Sequence, residues 1–442
     1  MKSAKFHLQC LFCQARTDSF QAWFRHGQQC PKCGGGQADV IYPRNGRTLQ
    51  KILHNHTVAM PGLWRYIDVL PINDKRNIVS AGEGVVPIDR WRFFERTAKE
   101  VFGIRCRVYA HRHDNNYATG TFKDLAGSVV ASVLKESGIP DYVVASTGNV
   151  GVAYARYLAG AGTTLYAFIP RNSSVTQEAE ISCFGQKAFR VDGDYQKAKE
   201  FAASFAAEHG MVLAAGNFDP MRIEAKKTMA YEWLRLMPEF PTVYIQALSG
   251  GTGPLAVAKA FREFDAAGLS LTLPRFLLVQ SDKCPPMAEA WKKAKAQGFP
   301  EGWERNYPIY HNPRTSIPTL ATGYPKTYPV LAPLVRRSGG EILAFSEKGA
   351  LAVTRLTAFE SAVRMGPAAA VAVGGFLKTL ASGLIRNGDV VLLNIGEGIR
   401  RAPEFMKRLV AASSPVASLD ACPLMDRKAY EKELWENVSR FL

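Results

Sequence analysis

Short apolar runs alternate with longer stretches of helical periodicity through most of the chain. Residues 105–110, 142–145, 164–169, 188–191, 211–214, 242–247, 275–280, 341–345 and 390–394 read as strands. Between them lie amphipathic stretches such as 195–207, where Tyr195, Ala198, Phe201, Ala202 and Phe205 are predicted to share one face. Leu125, Val129, Val133 and Leu134 recur at helical spacing in another, which ends at the breaker Gly138-Ile139-Pro140. Alternation of this kind predicts an α/β fold of parallel sheets with helices on both faces. At 442 residues the chain is long enough for two such doubly wound, mostly parallel domains and a small appendage.

Two segments break the rhythm. Residues 41–90 are rich in proline, glycine and polar groups and read as an arm laid over the next domain. Residues 298–330 read as a long loop, of the sort that often covers a site. The longest apolar stretch, 368–385, is interrupted by Gly374-Gly375 and Lys378, so it is expected to be a buried helix rather than a membrane span.

Composition is that of a globular protein, at 47% hydrophobic and 21% charged residues, but the net charge of +16 is high. The lysines and arginines are scattered, with no basic arm or RNA-binding signature, so no nucleic-acid partner is expected. A basic surface that draws in an anionic substrate fits better. The start, Met1 to His7, runs directly into a cysteine pair, and no secretory signal or membrane segment is visible, which points to a cytoplasmic protein without a membrane partner. Cys10 and Cys13 are two residues apart, as are Cys30 and Cys33, with sixteen residues between the pairs. This is zinc-ribbon spacing, so residues 1–40 are predicted to form a ribbon whose four thiolates fill the coordination sphere of a structural Zn2+. Cys106, Cys183, Cys284 and Cys422 have no such partners and are expected to be core or surface thiols.

Candidate chemistry centres on Lys123, set in the small-residue turn Asn116-Tyr117-Ala118-Thr119-Gly120-Thr121-Phe122-Lys123-Asp124 at the start of an apolar helix. A lysine partly withdrawn from water loses its proton more readily and becomes a carbonyl nucleophile. Two strand-to-helix turns follow. Ser146-Thr147-Gly148-Asn149 is one; Ser249-Gly250-Gly251-Thr252-Gly253, followed by Pro254, is the other. The second offers backbone N–H groups without bulky side chains at a helix start, which suits a phosphate.

The order of these three motifs, with Gly62-Leu63-Trp64-Arg65-Tyr66, Leu70-Pro71, Gly82-Glu83-Gly84 and Pro87 ahead of them, resembles the pyridoxal-phosphate enzymes of the tryptophan synthase β superfamily (fold type II), within it the threonine synthase and cysteate synthase group. The resemblance implies pyridoxal 5'-phosphate as cofactor, carried by Lys123. Asn149 is expected on the cofactor's ring hydroxyl, Ser146, Thr147 and Gly148 on the substrate carboxylate, and Ser249, Gly250, Gly251, Thr252 and Gly253 on the cofactor phosphate. Where the family places serine or threonine against the pyridine nitrogen, this chain has Asn394-Ile395-Gly396-Glu397, so Asn394 or Glu397 takes that role or the nitrogen has no partner. The implied organisation is an arm and first part of the large domain over 41–137, a small α/β domain over 138–240 and the rest of the large domain over 241–442, in a homodimer.

The lysine turn lacks the flanking proline and the Arg-Gly associated with threonine synthases. Together with Gly366-Pro367-Ala368 and Leu392-Leu393-Asn394-Ile395 it is closer to cysteate synthase, which replaces the phosphate of O-phosphoserine with sulfite. The expected substrate is therefore an anionic phospho-amino acid, O-phosphoserine in a β-replacement or, alternatively, O-phosphohomoserine in threonine synthesis. A third reading keeps the fold as a non-catalytic binding module, against which Lys123, Asn149 and the glycine loop argue. Candidate cations for the substrate phosphate are His111, Arg112, His113, Arg314 and Lys326.

Overall fold

A computed structural model describes residues 5–43, 60, 62–171, 173–409, 418 and 424–442; Cys422 and residues 44–59 and 61 of the expected arm lie outside these. Its strands are β1 (His7–Cys10), β2 (Arg16–Thr17), β3 (Ala38–Ile41), β4 (Ile88–Arg90), β5 (Arg107–His111), β6 (Asp141–Ala145), β7 (Thr164–Pro170), β8 (Lys187–Val191), β9 (Val212–Leu213), β10 (Val243–Ala247), β11 (Arg275–Ser281), β12 (Glu341–Phe345) and β13 (Val390–Asn394). Its helices are α1 (Phe20–Arg25), α2 (Arg92–Phe102), α3 (Lys123–Ser137), α4 (Asn149–Ala161), α5 (Val175–Cys183), α6 (Tyr195–Glu208), α7 (Pro220–Leu236), α8 (Thr252–Ala266), α9 (Pro286–Ala296), α10 (Tyr328–Arg337), α11 (Glu347–Ser361), α12 (Pro367–Ala381), α13 (Pro403–Leu409) and α14 (Arg427–Ser439). None of the described helices is long and apolar enough to cross a membrane. The chain divides into two compact units, Met1–Val86 with Asn115–Phe240 and Gly250–Leu273, and Pro87–Asp114 with Pro241–Ser249 and Pro274–Leu442.

The first unit holds the antiparallel sheet β2-β1-β3 and the parallel sheet β8-β7-β6-β9. The parallel sheet buries Val143, Phe168 and Val191 against Ala198, Ala202 and Ala206 of α6. That stripe recurs every four residues, and Phe201 falls beside it: its ring is 48% exposed and lies under the Lys197 ammonium instead of joining the predicted face. Helix α3 is buried along almost its whole length. The Gly62–Val69 turn packs over it, where the Trp64 indole donates to Ser128 Oγ at 2.8 Å and Ser128 Oγ donates on to Val79 O.

The second unit is built on one sheet, β12-β11-β10-β13-β5-β4, parallel except for the antiparallel edge strand β4. Helix α12 is the expected buried helix, and its two central glycines have a packing reason. A Cβ on Gly374 would meet Phe345 at 2.1 Å and one on Gly375 would meet Val279 at 2.3 Å, so only glycine lets this helix lie so close to the sheet. Register places Asn394 at the end of β13 opposite His111 at the end of β5. Residues 298–327 carry two short 3-10 turns, Trp303–Arg305 and Pro318–Leu320, and are otherwise irregular up to α10.

Candidate active site

The turn before Lys123 is fixed by its own polar side chains. Asp124, fully buried, accepts from Thr119 N at 2.9 Å and from Thr119 Oγ1 at 2.6 Å, and Thr121 Oγ1 accepts from the Lys123 amide at 3.1 Å. Asn116 bridges the turn to the Gly82-Glu83-Gly84 motif, accepting from Gly84 N at 2.9 Å while donating to Thr121 O at 3.0 Å. Gly120 sits at φ +68°, a conformation glycine adopts without strain. Glu83, buried, anchors that motif by accepting from Tyr157 of α4 at 3.0 Å. Lys123 thus enters α3 half-buried at its first position, its ammonium 3.6 Å from the centre of the Phe122 ring.

The second turn leads from β6 into α4. Ser146 Oγ, buried, accepts from Gly151 N at 2.9 Å and from Gly148 N at 3.2 Å, so the hydroxyl lies in the anion-accepting mouth of the helix. Asn149 is the first residue of α4 and is buried, and Thr147 is half-buried. Gln177 of α5 covers the turn so closely that a Cβ on Gly148 would lie 2.6 Å from its Nε2.

The glycine loop enters α8 through Gly251, at φ +81°. Asn217 lies over it: Thr252 Oγ1 donates to Asn217 Oδ1 at 3.0 Å, and a Cβ on Gly250 would sit 2.0 Å from Asn217 Nδ2. A bare backbone facing a polar side chain, at the N-terminus of a long helix, is the geometry that a phosphate requires. Gly253 and Pro254 fall in the first turn of that helix.

Four residues that the sequence reading passed over cluster with these motifs in the first unit, at the start of α7. They are Asn217, Asp219, Arg222 and Lys226. Asp219, fully buried, caps α7 through the Met221 amide at 2.9 Å and lies 3.5 Å from the Tyr142 hydroxyl. Burial raises its pKa, and Arg222 acts against that rise. Arg222 donates through Nη1 to Gly216 O at 2.6 Å, and its buried Nε has no partner. Lys226, one turn on, stands 4.7 Å from the centre of the same Phe122 ring that carries Lys123. Asp219-Pro220, a capping residue followed by proline at a helix start, was the available signal.

In the second unit, Asn394 Nδ2 donates to the Tyr244 hydroxyl at 2.7 Å and to Gln246 Oε1 at 3.2 Å. Glu397 Oε1 accepts the Ala368 amide at 2.9 Å and so caps α12. Ser249 Oγ shares a hydrogen bond with Thr322 Oγ1 at 2.7 Å. Burial lowers the His111 pKa to about 3, which leaves a neutral imidazole, and Arg112 is paired with Asp114 and Asp89, each at 2.8 Å. Arg314 and Lys326 are exposed.

A sequence model described as "Pyridoxal-phosphate dependent enzyme" matches residues 79–396. The chain belongs to this family. It is 27% identical over 393 residues to "Threonine synthase" of Methanocaldococcus jannaschii, covering 84% of this chain and 92% of that one. It is equally 27% identical over 431 residues to "Cysteate synthase" of Methanococcoides burtonii, covering 94% and 97%. The fold matches cysteine synthase from Entamoeba histolytica with a TM-score of 0.58 at 16% identity, over 80% of this chain and 93% of that one. It also matches diaminopropionate ammonia lyase from Escherichia coli with a TM-score of 0.59 at 14% identity, over 83% and 92%. These solved structures share fold type II.

For a pyridoxal-phosphate dependent enzyme, the residues present fit the cofactor: a glycine cradle that a single Cβ would fill, and a half-buried lysine at a helix start. The predicted ribbon cysteines also come together. The Sγ atoms of Cys10, Cys13, Cys30 and Cys33 all lie within 4.8 Å of one another, with Cys10–Cys33 at 3.6 Å and Cys13–Cys30 at 3.5 Å. Zinc–sulfur bonds of about 2.3 Å in a tetrahedron set neighbouring sulfurs about 3.8 Å apart, so the cluster has the size for that ion.

Proposed function

We propose that this chain cleaves the bond between carbon and phosphate oxygen in an O-phospho-L-amino acid, with O-phospho-L-serine as substrate and sulfite as the incoming nucleophile. The observation that carries the reading is the presence, in the unit that holds Lys123, of two separate sets of anion donors. The glycine loop offers backbone groups for one phosphate, and the start of α7 offers side-chain donors, Lys226 and Arg222, the latter with its Nε still lacking a partner. The near-equal similarity to a cysteate synthase and a threonine synthase supports a phosphorylated substrate.

Pyridoxal phosphate, when bound, supplies a conjugated ring that stores the electron pair left when a Cα proton is removed. The remaining work falls to the chain. Lys123 would hold the cofactor, and its amine, when free, would take the substrate's Cα proton as general base. Ser146, Thr147 and Gly148 bind the substrate carboxylate at the mouth of α4, with the Ser146 hydroxyl turning its proton from Gly148 O to the carboxylate. Asn149, buried at the first position of α4, would orient the ring. Arg222 holds the phosphate that departs with the electron pair of the broken C–O bond. The four ribbon cysteines hold one structural Zn2+.

Borohydride reduction of the holoenzyme followed by peptide mapping should label Lys123, and a label on another lysine would defeat the mechanism. Incubation with each phospho-amino acid should release phosphate from O-phosphoserine and, with sulfite present, yield cysteate. Phosphate release and threonine formation from O-phosphohomoserine alone would instead favour threonine synthase, the reading that the Methanocaldococcus relative supports. Metal analysis should find one zinc per chain, lost in a Cys10→Ala, Cys13→Ala variant that keeps the cofactor spectrum. If that variant stays folded and loaded yet inactive, the zinc is not structural.

A further inference from the structure

Lys226 lies in the interior of α7 with only 1% of its surface exposed. Among the described residues no carboxylate forms an ion pair with it, and its ammonium position is 4.7 Å from the centre of the Phe122 ring that it shares with Lys123. The charged groups that face it are Arg222 one turn earlier on its own helix, Lys123 at the start of α3, and Asp219 at the α7 cap. Two of the three are cations. The third is already engaged by the Met221 amide. Burial first, then Arg222 and Lys123, lower the Lys226 pKa well below that of an ordinary lysine, which favours the neutral amine.

Buried polar atoms in folded proteins nearly always have partners, and a methionine would fill this space without the desolvation cost. An amine retained here, beside the proposed cofactor lysine and one turn from an arginine whose buried Nε lacks a partner, indicates a ligand. The cofactor phosphate has its own donors in the glycine loop, so a second anion is required.

We propose that Lys226 determines substrate class: it recognises the phosphate group of the substrate by taking up a proton as that group arrives. This rests on the phospho-amino-acid reading above. The step balances simply, since one proton from solvent joins the amine and the resulting ammonium pairs with the phosphate dianion. No other bond changes. A substrate with a neutral leaving group brings no charge to hold that proton, and the site then disfavours it.

The test is calorimetry of inorganic phosphate binding to holoenzyme at about pH 8, where phosphate is largely dianionic, in two buffers of different ionisation enthalpy. Wild type should bind with net proton uptake. Lys226→Met and Lys226→Gln should bind at least about tenfold more weakly and without uptake, because the charge that answers the anion is gone. Lys226→Arg should bind without uptake, since its guanidinium is charged beforehand. The cofactor dissociation constant should stay the same in all four proteins. Unchanged phosphate affinity and uptake in Lys226→Met would overturn the proposal, as would absence of phosphate binding in wild type. So would a cofactor affinity that falls in parallel, which would assign Lys226 to the cofactor's own phosphate. If wild type binds phosphate with uptake but releases none from either phospho-amino acid, the anion site stands and the substrate reading falls.

Discussion

Lys226 and Lys227 are adjacent on α7, and the helix carries them into opposite surroundings. Lys227, fully buried, is 2.7 Å from both Glu224 and Glu263 and lies over the Tyr42 ring. Next to it Lys259 pairs with Asp39 and with Glu224, the latter at 2.9 Å, and donates to Val40 O at 2.7 Å. Burial works against the charge on Lys259, but Glu224, Asp39 and Glu263 overrule it and raise its pKa. Lys226 has the burial without the carboxylates, and its pKa moves the other way. Burial alone therefore says nothing about whether a lysine is charged; its partners decide. One face of α7 is a completed ion cluster that ties strand β3 to α7 and α8. The other is left incomplete beside Lys123.

The largest effect should come from breaking the completed face. Lys227→Met leaves Glu224 and Glu263 in the interior with Lys259 as their one cation among the described residues, and losing one member of a buried ion group costs about 3–5 kcal/mol. Urea denaturation of the variant should show a midpoint lowered accordingly. A loss no larger than that of a surface lysine would mean the cluster relaxes or takes in water, and the contrast with Lys226 would collapse.

Lys226→Met should do the reverse and stabilise the cofactor-free protein by about 1 kcal/mol or more at neutral pH, because no partner is left behind. The pH dependence has a definite sign. Between its lowered folded pKa and the ordinary lysine value, the unfolded chain binds a proton at this position that the folded chain does not, so stability rises with pH across that window. Replacement by methionine removes that slope. Stability curves of wild type and Lys226→Met that run parallel from neutral to alkaline pH would show that Lys226 keeps its proton at rest, and the proton-uptake proposal would fail with it.

Much of the fold is legible in the sequence because parallel strands covered on both faces must be apolar, and each run from 105–110 to 390–394 does contain a strand. Strand β4 was not legible: three residues, none of them buried, at an antiparallel edge leave no pattern. The Lys123 turn and the glycine loop stand out because their chemistry needs glycine and small residues close together. The start of α7 does not. Its Arg222, Lys226 and Lys227 read as the solvated charges of an amphipathic helix, and only tertiary packing shows that all three are buried. Nor does sequence show the surroundings of His111 and Arg112. Arg112 is drawn to Asp89, far from it in the chain, and the burial that neutralises His111 has no local signature.

The smallest expected effect tests whether the two faces of α7 are separate. Asp39 reaches the cluster from β3, next to the cysteine ribbon, and its carboxylate is 22% exposed. Burial opposes its ionisation, but Lys259 and then Arg262 outweigh that and lower its pKa. Asp39→Asn leaves Lys259 with Glu224 and Val40 O, so the loss should be about 1 kcal/mol at neutral pH. Because the folded pKa is depressed, this contribution is present above the ordinary carboxylate range and disappears as pH falls through the folded value. Unfolding curves of wild type and Asp39→Asn should therefore converge in acid. Phosphate affinity and proton uptake of the holoenzyme should not change, since Asp39 interacts with Lys259, Arg262 and Lys227, whereas Lys226 interacts with Arg222, Lys123 and Asp219. A fall in phosphate affinity comparable to that of Lys226→Met would instead make α7 a single coupled element, through which the ribbon acts on the site beside Lys123.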